Sequence, residues 1–105
     1  MENRSKAIIG TGLKVSIKVD PIGQYHLSDM DFSARFYVGN TAGKTLAKSG
    51  HVKVDDDTYI APVDTNGMRS GTLRCRLTVV VPDGDFPDGK RIEISDMNTN
   101  ITLEM

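Results

Sequence analysis

The chain has 105 residues, with thirteen Lys and Arg against fourteen Asp and Glu and a formal net charge of −1. That size suits one domain able to bury about two-thirds of the surface its unfolded form exposes, and the balanced charge offers no basic block to release counterions from nucleic acid, so no nucleic-acid partner is expected. A single cysteine excludes an internal disulfide, and without a signal-like start or an apolar run of about 18 residues the expectation is cytoplasmic synthesis and no membrane partner.

Met1 to Lys6 are polar and read as an N-terminal arm, after which Ala7-Ile8-Ile9 runs into Gly10-Thr11-Gly12. Two glycines around one threonine favour a bend, so residues 1–12 form an arm with a first short strand and residues 13–105 a single domain. Leu13, Val15, Ile17 and Val19 alternate with Lys14, Ser16 and Lys18. A period of two lays the apolar groups on one face of a strand. Phe32, Ala34, Phe36 and Val38 repeat the pattern around Ser33, Arg35 and Tyr37, and Gly39 to Gly50 reads as a hairpin-like excursion with brief pairing over Thr45 to Lys48. His51 to Val54 alternates again, and Asp55-Asp56-Asp57 turns tightly into Thr58 to Val63. Pro62 has no N–H to donate, which places that strand at a sheet edge or ends it there.

The longest pattern follows Asn66-Gly67 and Gly71: Leu73, Cys75, Leu77, Val79 and Val81 alternate with Thr72, Arg74, Arg76 and Thr78. Pro82 to Gly89 is a rigid acidic loop, Ile92-Glu93-Ile94 a short strand, and Ile101 with Leu103 a last one. No segment carries a helical period. About seven short strands at close spacing predict an all-β fold, an antiparallel immunoglobulin-like β-sandwich or a small barrel, without the tryptophan and second cysteine of antibody domains.

Chemical signatures are few. Gly39-Asn40-Thr41-Ala42-Gly43-Lys44-Thr45 resembles a phosphate loop but has three residues between its glycines where four are required, and no helical pattern follows, so it reads as a turn. Asp83, Asp85 and Asp88 loosely follow a calcium loop, but the third acid falls one place late and Ser95 stands where a bidentate glutamate belongs. Asp55 to Asp57 could add oxygens if both loops share one end. His26 and His51 lack a metal-ligand spacing, and the serines lie in no nucleophile elbow. Cys75 sits on the apolar side of its strand and reads as an inert small hydrophobe. The expectation is a protein that is not an enzyme, with no catalytic residue, metal or cofactor.

Val52 to Thr65, then Gly71 and its long strand, then Pro82 to Arg91, taken with Leu13 to Val19 and Asp29 to Val38, resemble small β-sandwich virion proteins and domains of Bacteroides phages and prophages, including crAss-like phages. The plan is also similar to immunoglobulin-like N-terminal domains of phage fibre and baseplate proteins. The resemblance covers Leu13 to Ile94. It implies a location in the virion and a structural role, a capsid auxiliary or decoration protein or a fibre adaptor, binding other virion proteins or itself. It transfers no catalytic residue. Ala7, Ile8, Ile9, Ile101 and Leu103 are the expected partner contacts, against the alternative that the terminal strands pair within the sandwich. The other functional class in view is a secreted or surface-displayed module binding carbohydrate or protein, weakened by the missing signal segment and by only three Tyr, three Phe and no Trp.

Overall fold

Period-two alternation has the predicted effect on the long strand: Leu73, Cys75, Leu77, Val79 and Val81 are all buried. The computed structural model describes residues 5–105, and Met1 to Arg4 of the expected arm lie outside the described residues. Eight strands follow in chain order: β1 (Ser5–Ile8), β2 (Gly12–Lys18), β3 (Asp31–Tyr37), β4 (Lys44–Ala47), β5 (Val52–Asp55), β6 (Thr58–Asp64), β7 (Gly71–Pro82) and β8 (Lys90–Glu104). Two single 3-10 turns, Leu27–Asp29 and Lys48–Gly50, sit in the connections before β3 and β5.

The strands form a five-stranded sheet in the order β1-β8-β7-β3-β4 and a three-stranded sheet in the order β2-β6-β5. The chain changes sheet between β1 and β2, between β2 and β3, between β4 and β5, and between β6 and β7, which is the strand arrangement of an immunoglobulin-like sandwich. The core lies between the sheets, with Val15, Ile17, Tyr59, Ala61 and Val63 from one meeting Phe32, Ala34, Phe36, Leu77 and Leu103 from the other. Phe32 anchors it edge-on against Tyr59, with ring centroids 5.0 Å apart.

Four details differ from the alternation alone. There are eight strands, and one pairing is parallel: β1 lies on β8 with Ala7 opposite Leu103. Pro62 belongs to β6, the middle strand of its sheet, paired with Lys14 on one side. On the other side β5 reaches only Ile60, so Pro62 has no β5 residue opposite and its missing N–H breaks no ladder there. The segments around Ile92 and Ile101 are two ends of one 15-residue strand. Its pairing with β7 jumps from Leu73–Ile101 to Arg74–Asn98, leaving Thr99 and Asn100 as a bulge. Asn100 adopts φ 60° there, the left-handed conformation that Asn tolerates. The Thr99 hydroxyl donates to the Leu73 carbonyl at 2.7 Å, and Asn98 accepts from the Asn100 amide at 2.8 Å.

The ends of the sandwich are closed by polar contacts. Thr65 is fully buried, its hydroxyl donating to the Thr11 carbonyl at 2.7 Å and accepting from the Gly10 amide at 2.9 Å. It ties the β6–β7 connection to the β1–β2 turn. At the opposite end Asp57 faces His26 with 2.9 Å between Oδ1 and Nδ1, Asp56 accepts from the Ser28 hydroxyl at 3.0 Å, and Lys53 reaches Asp56 at 3.1 Å. The Lys48 ammonium donates to the carbonyls of Ser28 and Met30 at 2.8 and 2.7 Å, fixing the turn before β5 to the one before β3.

Thr65→Val keeps the shape and removes both hydroxyl bonds, leaving the Gly10 amide without its acceptor and the Thr11 carbonyl with only the longer bond from the Thr65 amide at 3.4 Å. Chemical denaturation should show a loss of about 1–3 kcal/mol. The hydrogen bond from His26 to Asp57 raises the imidazole pKa above 6.5. Its contribution to stability is therefore complete below pH 6.5 and is lost as pH rises through the raised folded value. Melting temperatures between about pH 5.5 and 8.5 should fall more in the natural protein than in His26→Gln, and a His26 NMR titration should place its midpoint above the ordinary value.

Candidate functional site

Residues opposite one another in a sheet share a face. The outward positions of β3, β7 and β8 therefore meet in rows: Asp31, Val80 and Ile92; Ser33, Thr78 and Ile94; Arg35, Arg76 and Asp96; Tyr37, Arg74 and Asn98. One half of the face sets Val80, Ile92 and Ile94 among Asp31, Ser33 and Thr78, with Ile92 and Ile94 left 55% and 62% exposed. The other half is cationic.

Tyr37 organises the cationic half. It points away from the core yet is only 6% exposed, because the Arg35 guanidinium lies 4.4 Å above its ring centroid and that of Arg76 lies 5.8 Å away. Its hydroxyl donates to Asp96 at 2.9 Å. Arg76 forks the same carboxylate, donating from Nε at 3.0 Å and Nη2 at 3.1 Å. These bonds, first from Arg76 and then from Tyr37, hold the Asp96 carboxyl below its ordinary pKa, while Asp96 raises that of Arg76.

Asp96 balances one arginine of three. The ion pairs among the described residues leave Arg35 and Arg74 without a carboxylate, and Arg35 Nε is buried with no acceptor. Arg35 also stands directly opposite Arg76, an unfavourable like-charge pairing. The β3–β4 turn, Gly39 to Ala42, forms a rim around these side chains and encloses an open depression of about 640 Å³. The stretch that resembles a phosphate loop is this turn, followed by strand β4. Gly43 has φ 65°, and a Cβ there would overlap the Phe36 carbonyl, so glycine is required for the turn to close against β3.

The residues singled out in the sequence fall elsewhere. Leu103 is buried in the core, and Ala7, Ile9 and Ile101 pack against it. Pairing of β1 with β8 accounts for these four side chains, leaving Ile8 exposed at 57%. Asp83 is engaged by the Asp85 amide at 3.0 Å and by Arg91 at 2.8 Å, both of which lower its pKa. Among the described residues no group of three or more His, Cys, Asp or Glu is placed to hold a metal ion. The Ser28 hydroxyl donates to Asp56, and His26 pairs with Asp57. Burial pushes the Cys75 thiol up to about 11, which suits an inert core residue. Arg74 and Arg76 are recognisable in sequence as outward residues of the long strand, but their meeting with Arg35 and Tyr37 is not. The available signal is that all four occupy polar slots of two alternating patterns.

Asp96→Asn leaves three arginines with no carboxylate in their own rows of the face. Its melting temperature should lie below that of the natural protein at low salt, and the gap should narrow in about 0.5 M NaCl as repulsion is screened. A gap independent of salt would assign the role of Asp96 to hydrogen bonding alone. No protein-family model, curated protein or solved structure matches the chain.

Proposed function

We propose that this protein is a non-enzymatic structural component of a phage particle, a capsid auxiliary protein or fibre adaptor, that works by binding another protein through the outer face of its five-stranded sheet. The observation that carries the binding role is the composition of that face: exposed Ile92 and Ile94 adjoin Tyr37, Arg35, Arg74 and Arg76. Apolar, tyrosine and arginine side chains together are the mixture enriched at protein interfaces and at their energetic centres. The filled interior of the sandwich supports binding over catalysis, since its core side chains occupy the space between the sheets. The edge of β8 adds a second means of attachment. Among the described residues only its last four are covered by β1, and the segment from Lys90 to Ser95 offers backbone groups for strand addition. The resemblance over Leu13 to Ile94 supports placing the partner in a virion.

Quantitative proteomics of particles from the encoding phage tests the reading, which predicts a stoichiometric protein; its absence from purified particles would sink the virion role. Ile94→Lys should lower incorporation tenfold or more with little change in melting temperature, because the side chain is already 62% exposed. Incorporation unchanged in that variant would remove the face from the interface.

A further inference from the structure

We infer that the cationic half of the outer face is a carboxylate-binding site for an acidic segment of a protein partner, with Arg35 and Arg74 as its binding residues; the inference rests on the protein-binding reading above. Three arginines converge where one aspartate is present, on a chain whose overall charge is −1. The excess is therefore local. The core is built from the inward residues of β3 and β7, and none of the three arginines belongs to it.

The geometry suits a forked anion. Arg76 and Asp96 already form a two-pronged guanidinium–carboxylate pair within the face, the arrangement in which arginine differs from lysine. The Arg35 guanidinium lies over the Tyr37 ring, 4.4 Å from its centroid, with no carboxylate paired to it among the described residues. Arg74 stands opposite Tyr37 in the next row, a diagonal neighbour of Arg35. A carboxylate entering between them from the side of the Gly39–Ala42 rim would supply the missing counter-charge. The depression is open rather than enclosed, and Ile94 in the adjoining row and Val80 and Ile92 in the one beyond add apolar side chains to the face. These side chains favour a peptide, which brings apolar groups beside its acids, over a free sugar acid or phosphate.

The probe is a fluorescein-labelled, end-capped hexaglutamate peptide, titrated by fluorescence anisotropy at low salt against the full chain. Saturable binding should weaken tenfold or more in Arg35→Gln and Arg74→Gln, and should weaken also in Arg35→Lys, which keeps the charge and loses the planar fork. Lys14→Gln and Lys18→Gln, on the exposed face of β2, should bind as the natural protein does. Melting curves of each variant establish that it is folded. The assignment is overturned if hexaglutamate does not bind, if the β2 variants weaken binding equally, or if trigalacturonate or inorganic phosphate competes at the same concentration as unlabelled hexaglutamate. The readout is separate from particle incorporation: failed binding with normal incorporation removes the carboxylate site and leaves the protein-binding reading standing.

Discussion

A one-residue change of register in a sheet exchanges the two faces of a strand. The register of β3 on β7 therefore decides both what is buried and what is displayed. Phe32, Ala34 and Phe36 lie opposite Val79, Leu77 and Cys75, all six buried. The same register sets Arg35 against Arg76 and Tyr37 against Arg74. Burying each large apolar side chain is worth about 1.5–3 kcal/mol, whereas an exposed cross-strand charge pair is worth about 0.2–1 kcal/mol. The core wins by a wide margin. Like charges are held together on the outside because the inside permits no other alignment, and Tyr37 and Asp96 soften the conflict without removing it.

The same demand for inward alternation explains the bulge in β8. Two residues, Thr99 and Asn100, are inserted between the stretch that pairs with Arg74 to Pro82 and the stretch that pairs with Gly71 to Leu73. An insertion of two preserves the alternation of faces, so Ile101 and Leu103 continue inward and Leu103 is buried. That places the end of β8 where β1 can lie beside it in parallel. The apolar residues near both ends of the chain thus contribute to the sandwich, Leu103 inside the core and Ala7, Ile9 and Ile101 partly buried against it.

The elements legible in the sequence are those whose polar and apolar slots match burial. β2, β3 and β7 satisfy this, and the turns at Asp55–Asp57 and Asn66–Gly67 bound strands as expected. β8 defeats it because its pattern is inverted. Ile92 and Ile94 read as a buried face yet lie outward, while Arg91 and Glu93 share the inward side with Val81 and Val79. Arg91 is satisfied there by Asp83 at 2.8 Å and Glu93 at 3.2 Å. Arg91 and Glu93 are half-buried there, beside the buried Val81 and Val79 of β7. Pro62 misleads for a related reason: a strand can be central while one of its residues has a neighbour on one side only. The candidate site was half legible. Each of its arginines occupies a recognisable outward slot, but which slots face each other depends on a pairing that only packing fixes.

Recognition in a sandwich often falls to its loops. Here the loop end that holds the acidic residues is largely spoken for. Asp57 faces His26, Asp56 engages Ser28 and Lys53, Asp83 is held by Arg91, and Lys48 ties two connections together through backbone carbonyls. A ligand at that end would have to displace partners the groups already have. Arg35 and Arg74 differ in both respects: no carboxylate among the described residues competes for them, and they stand on paired strands. Arg35 is further fixed by its stack on Tyr37. Side chains positioned before a partner arrives lose less freedom on binding than loop side chains do. The conflict that the core imposes on the outer face is thus also what leaves that face prepared for an anion.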